Sequence, residues 1–233
     1  SNESFVNIMM IEQLKELNVK PNKFTGYFFV PDSTQITNNL NTAGFFSLRF
    51  ESTDQSVFRS IFLKSDNEQT LKIGFISIED VNQKLDQIHD FFDKLFIQSD
   101  FKIQSLRNQV ESFAQSNQLI ISSAFLSCES EQQEEDSNIA LIDVLMCGLP
   151  PLVMFEEGRF HFPVRSGIPL GVNDLLMKSQ ILEMGVNSRF YLHSQLNPNY
   201  ELKELHTLLK DIDIQKLPND ILLFELQLSE IKI

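Results

Sequence analysis

The stretch LPNDILLFELQLSEI, residues 217–231, reads as a turn followed by a strand. Pro218 and Asn219 are turn residues, and after them Leu222, Phe224, Leu226 and Leu228 recur at every second position. Side chains alternate across an extended chain, so these four share one face, which needs a core to cover it. Moving outward toward the N-terminus, LIISSAFLSC (119–128) and IALIDVLMCG (139–148) have the same strand character. The run ESEQQEEDSN (129–138) between them is too polar to bury and reads as a solvated hairpin loop. Strands are expected over 118–128, 139–147, 186–194 and 220–231, with one helix near 173–183.

The preceding residues have a different rhythm. Val6, Met9, Met10, Gln13, Leu14 and Leu17 in FVNIMMIEQLKEL (5–17) fall at helical spacing, and Asn18 with Pro21 ends that helix. YFFV (27–30) and FFSLRFES (45–52) read as strands, the second with Phe46, Leu48 and Phe50 on one face. In DQSVFRSIFLK (54–64), Val57, Phe58, Ile61 and Phe62 make a helical stripe, with Ser52, Thr53 and Asp54 as caps. LKIGFISI (71–78) alternates again through Leu71, Ile73 and Phe75. From Ile78 the apolar residues fall at 78, 81, 85, 88, 92 and 95, a heptad-like helix that resumes at Ile103, Leu106, Val110 and Phe113 after a break around Ser99 and Asp100. Three regions are therefore expected: a small mixed α/β module over 1–76, a long amphipathic helix or helix pair over 77–116, and a third unit over 117–233. The helical stripe either packs on the protein's own core or, through Leu85, Ile88, Phe92 and Leu95, forms a dimer or partner seam.

Composition excludes several functions. The 233 residues carry 19 basic and 32 acidic side chains, a formal net charge of −13 that repels a phosphate backbone, so nucleic acid is not an expected partner. No apolar run reaches the ~20 residues that span a bilayer, and the chain reads as soluble and intracellular. Cys128 and Cys147 form no metal-ligand spacing, and His89, His161, His193 and His206 are scattered, so neither metal nor cofactor is expected.

The closing strand is similar to that of FKBP-type peptidyl-prolyl isomerase domains, in which a proline turn precedes an aliphatic-Phe-acidic-aliphatic sequence. IPLGVNDLLMKSQILEMGVNSRFYL (168–192) resembles, without a gap, that family's strand, short helix, methionine turn and next strand, with Met184 as the methionine. Tyr200, after HSQLNPN, falls on the family's substrate-binding tyrosine and Phe224 on its pocket phenylalanine. VLMCG (144–148) and the pair Phe155 and Glu156 extend the resemblance, which covers residues 118–233. It implies an α+β fold, a bent antiparallel sheet around one short helix, following the mixed module and the long helix. A long helix leading into such a domain is similar to the macrophage infectivity potentiator group, and FFSLRFESTDQSVFRSIF (45–62) looks like the last strand and closing helix of a WH1 domain.

The resemblance also implies a degenerate pocket. The floor tryptophan is replaced by Met177, an early tyrosine by Met146, the pocket aspartate by Glu156, and two aliphatic substrate contacts by Asn173 and Asp174. Twisting an X-Pro amide needs an apolar pocket with a few placed hydrogen bonds, because catalysis here is differential binding of the twisted form. With only Tyr200 and Phe224 kept, two readings follow: a non-catalytic binding or scaffold module within a larger assembly, or a weak, specialised prolyl isomerase and folding helper. The expected partner is a protein or a proline-containing peptide.

Overall fold

Because side chains alternate along a strand, a strand buried on both faces is apolar almost throughout, whereas one buried on a single face alternates. Both patterns occur in this chain. Its computed structural model describes residues 24–29, 35–41, 45–52, 54–67, 70–98, 100–130, 139–172, 177–194 and 222–228. In chain order the elements are β1 (Phe24–Phe29), β2 (Gln35–Asn41), β3 (Phe45–Glu51), β4 (Phe58–Asn67), β5 (Thr70–Ile78), α1 (Leu85–Gln98), α2 (Ile103–Ser116), β6 (Ser122–Ser130), β7 (Ile139–Cys147), β8 (Val153–Glu156), β9 (Arg159–His161), β10 (Gln180–Gly185), β11 (Arg189–His193) and β12 (Leu223–Leu228). The strands form a large sheet ordered β10-β7-β6-β5-β4-β3-β2 and a small sheet ordered β1-β12-β11-β8-β9. All ladders between these strands are antiparallel.

The two sheets pack face to face. Leu71, Ile73 and Phe75 of β5 join Ala124, Leu126 and Cys128 of β6 and Ile142, Val144 and Met146 of β7 in a core closed from the small sheet by Met154, Phe190, Leu192, Phe224 and Leu226. The opposite face of the large sheet presents Phe58, Phe62, Ile76, Phe125 and Leu145 to the helices, where they meet Ile88, Phe92, Leu95 and Phe96 of α1 and Leu106, Val110 and Ala114 of α2. The order of layers is helices, large sheet, small sheet. Gly74 makes the helix layer possible, since a Cβ there would lie 2.5 Å from the Phe96 ring, which stacks on Phe62 at 3.8 Å.

Local signals set the helix ends. Asn82 and Gln83 have φ of 50° and 58°, so the chain turns through two left-handed residues after β5, and helix begins at Leu85 rather than at Ile78. Phe101, at φ 58° and buried, separates α1 from α2 in place of one long helix. Past α2, Gln118 is left-handed (φ 56°) while its N–H donates to the Gln115 carbonyl and the Leu119 N–H donates to the Ala114 carbonyl, a Schellman stop.

Several expectations are corrected. DQSVFRSIFLK is not helical from Phe58 onward: it is β4, whose Phe58 and Phe62 face the helices while Ile61 and Leu63 face the other sheet. Apolar residues on both faces of a strand imitate a helical stripe. The helix expected at 173–183 gives way, from Gln180, to β10 along the β7 edge, with Met184 buried and Leu182 partly buried. The expected α+β arrangement, an FKBP-like bent sheet around one short helix, is absent: both helices among the described residues lie outside the large sheet, and that sheet draws strands from both sides of residue 117. The helix expected at 5–17 lies outside the described residues. No described helix is long and apolar enough to cross a membrane.

Candidate functional site

At one end of the sandwich the apolar core stops and a polar row begins. Ile61, Phe75, Ala124 and Met146 are successive cross-strand neighbours on β4, β5, β6 and β7, all in the core between the sheets. Two residues outward on the same face stand Arg59, Ser77 and Ser122, which are again cross-strand partners. Arg59 is 2% exposed. Its Nε donates to Ser194 Oγ at 2.8 Å and its Nη2 to Glu79 Oε1 at 2.9 Å. Ser194 Oγ also accepts the Leu222 N–H at 2.8 Å, so the guanidinium links β4 to the segments that enter and leave the small sheet. A buried cation needs a counter-charge and hydrogen-bond acceptors, and Glu79 and Ser194 supply them.

Beside this row lies a cleft of about 470 Å³ lined by Ser77, Glu79, Asp80, Asn82, Gln118, Ile120, Ser122, Gly148 and Pro169. The paired backbone bonds between Ile121 and Leu170 bring Ile120 and Pro169 to its wall. Gly148 is left-handed (φ +87°), and a Cβ there would meet Pro169 at 2.6 Å, so a side chain would disturb this wall. Asp80 Oδ1 accepts the Asn82 N–H at 2.9 Å, which shapes the turn after β5. Ser77 Oγ is buried and has no hydrogen-bond partner among the described residues. Nearby, Asp54 closes a small loop by accepting from Ser52 Oγ, Ser56 Oγ and the Ser56 N–H, and these bonds bring its pKa down to about 2.

The residues drawn from the FKBP resemblance do not form one pocket with this cleft. Phe224 and Met146 are packed in the inter-sheet core. Met177 is partly buried against the helix-side core, and its carbonyl accepts from Gln104 Nε2 at 3.0 Å. Phe155 lies on β8 against Phe160, at 4.8 Å between ring centroids. Glu156 accepts from Ser188 Oγ at 3.0 Å and lies 3.1 Å from His161 Nε2, so Ser188 is bonded to the carboxylate and not to an imidazole that could activate it. Asn173, Asp174 and Tyr200 lie outside the described residues. Leu85 is partly buried, and Ile88, Phe92 and Leu95 are buried, in the helix-side core. The thiols of Cys128 and Cys147 are pushed up by burial, Cys147 to about 11, which makes both poor nucleophiles.

Two antiparallel sheets lie face to face, with a helical layer outside the larger one. Among solved structures, the PP2C phosphatase domain with a regulatory fragment of the cell fate determinant SpoIIE from Bacillus subtilis is similar to the chain at TM-score 0.50 and 7% identity, covering 95% of this chain and 87% of that one. RsbX in complex with magnesium is similar at TM-score 0.46 and 15% identity over 84% of this chain and all (100%) of the other. The Mycobacterium tuberculosis serine/threonine phosphatase PstP is similar at 0.44 and 7%, over 89% and 100%. No protein-family model matches the chain, and no curated protein matches its sequence. The SpoIIE likeness shows a PP2C-type fold and overturns the FKBP resemblance, together with the isomerase, chaperone and FKBP-scaffold functions drawn from it.

Two-metal hydrolysis of a phosphate ester needs several carboxylate oxygens converging on ions ~4 Å apart. The rim does not fit this donor set. Of its two described carboxylates, Glu79 already faces the Arg59 guanidinium, a fixed cation in the same corner. Among the described residues no group of three or more His, Cys, Asp or Glu side chains comes together.

Sequence reasoning missed a functional role for Arg59, Ser77, Glu79, Asp80, Ser122 and Ser194, and took Ser77 and Asp80 only as a weak helix cap. A signal existed: SIED (77–80) breaks an apolar alternation with a hydroxyl and two acids. Its partner Arg59 was hidden in a stretch read as helix.

Proposed function

We propose that this chain is a PP2C-fold protein that binds a partner protein at its rim cleft and does not hydrolyse phosphate esters. The observation that carries this reading is the buried Arg59 bonded to Glu79 and Ser194, a cation supplied by the chain at the rim of the sandwich. A guanidinium keeps its charge and cannot be exchanged for water or substrate, so it neutralises Glu79 without offering Lewis-acid chemistry. The cleft next to it sets a few polar side chains, Ser77, Glu79 and Asp80 among them, beside an apolar wall, the combination found in recognition sites.

The test is hydrolysis of p-nitrophenyl phosphate and of a phosphoserine peptide by the purified chain with magnesium or manganese. Release no faster than a protein-free blank is expected with either ion. Saturable, metal-stimulated release that Asp80→Asn abolishes would overturn the proposal.

A further inference from the structure

Two carboxylates at a rim are ordinary surface features, but the rim cleft also holds an unpartnered polar group. Ser77 is 1% exposed, lines the cleft, and its Oγ has no hydrogen-bond partner among the described residues. A buried hydroxyl without a partner is unfavourable, and a ligand donor that reaches it relieves the cost. Its cross-strand neighbour Ser122, 6% exposed, lines the same wall.

The charges decide what kind of ligand fits. Glu79 uses Oε1 to accept from Arg59, and Asp80 uses Oδ1 to accept from the Asn82 N–H, which leaves the second oxygen of each for a ligand. A phosphate or carboxylate would meet two like charges there, and the Arg59 charge is already balanced by Glu79. A cation is favoured. The space of about 470 Å³ is far larger than one ion requires, and Ile120 and Pro169 give it an apolar wall suited to methylene groups. A long side chain with an apolar stem and a cationic head matches that combination. Of the two candidates, arginine offers five N–H donors in a planar fork, enough to bridge two carboxylates and a hydroxyl, whereas lysine offers three around a point.

We propose that the rim cleft receives an arginine side chain from a basic segment of a partner protein, its guanidinium held by Asp80, Glu79 and Ser77 and its stem lying along Ile120 and Pro169. This rests on the binding reading given above and specifies the partner's chemistry. The net charge of −13 attracts such a segment from a distance and makes its association rate fall with salt.

Backbone amide NMR of the full chain, titrated with acetyl-Gly-Arg-Gly-amide, tests it. Saturable shifts are expected at residues 77–82 and 120–122, weaker ones with the lysine peptide and none with the neutral glutamine peptide. Asp80→Asn, at an exposed position, should weaken the arginine peptide by about tenfold, the loss of one charge-assisted hydrogen bond. Ser77→Ala removes a hydroxyl that has no hydrogen-bond partner among the described residues, so it should weaken peptide binding while leaving the melting temperature the same or higher. No saturable shifts, equal shifts with the glutamine peptide, or an unchanged affinity in Asp80→Asn would overturn the proposal. Magnesium or manganese that shifts the same amides and displaces the peptide would also overturn it. Peptide failure with no hydrolysis removes only this ligand, whereas metal binding with metal-dependent hydrolysis removes the binding reading as well.

Discussion

His193 sits on β11 opposite Leu223 of β12, 3% exposed, with neither ring nitrogen hydrogen-bonded to a described residue. Burial disfavours its charged form and brings its pKa down from the ordinary 6.5 to about 4. Between those values the unfolded chain takes up a proton that the folded chain refuses, so stability is full above pH 6.5 and falls as the pH drops toward 4. The loss is about 1.4 kcal/mol per pH unit, on the order of 3 kcal/mol in all. On the same strand pair Glu225 is shifted the other way, raised by burial against the lowering effects of Arg189 and Tyr191, so its contribution is lost as the pH rises. His193→Leu separates the two. Urea unfolding across this pH range should show a smaller acid loss in the variant than in the native chain, and equal losses would contradict the burial argument. Neither group was legible as special from the sequence: an alternating strand does not say which of its polar residues the fold will cover.

At the level of elements, the contact between helix and sheet depends on one missing side chain. Gly74 is on the β5 face that meets α1, and the Phe96 ring occupies the space a Cβ would need. Gly74→Ala should therefore destabilise the chain by about 1–3 kcal/mol, the usual cost of overpacking a close-packed core, despite the better strand propensity of alanine. Phe96→Leu in the same chain should recover part of that loss in thermal unfolding, because a smaller side chain vacates the collision. A double variant no more stable than Gly74→Ala alone would place the strain elsewhere. Of the two readings of the Leu85, Ile88, Phe92 and Leu95 stripe, packing on the protein's own core is the one this interface shows, with the large sheet as the cover. β4 has two such coverings, helices on one side and β-sheet on the other, and for that reason imitates a helix in sequence.

Across the whole molecule the chain crosses between layers repeatedly. β5 and β6, separated in sequence by both helices, are neighbours near the centre of the large sheet, and β1 pairs with β12 from the far end of the chain. A cut at residue 117 would expose the β5 edge in one fragment and the β6 edge in the other, together with the apolar faces on both sides. Fragments 1–117 and 118–233 should each lack a cooperative thermal transition, while the full chain unfolds in one step when followed by far-UV circular dichroism and by tyrosine fluorescence. A cooperative transition in either fragment would show that it folds independently.

The sequence by itself determined where chain can be strand or helix in several stretches: β3, β5 and β12 follow from period two, β6 and β7 from short apolar runs on either side of a polar loop, and the break between α1 and α2 from the skip around Asp100. It also determined the acidity and the lack of any candidate membrane-spanning helix among the described residues. These properties are local, set by each side chain's transfer energy and by backbone geometry. Only the tertiary structure decided that LPNDILLFELQLSEI contributes a strand to the small sheet of a PP2C-type sandwich rather than to a sheet around a helix. It alone placed Arg59, Ser77 and Ser122 side by side. A strand's pattern states that one face must be buried but not what buries it, and a site made from cross-strand neighbours exists only once the register is set.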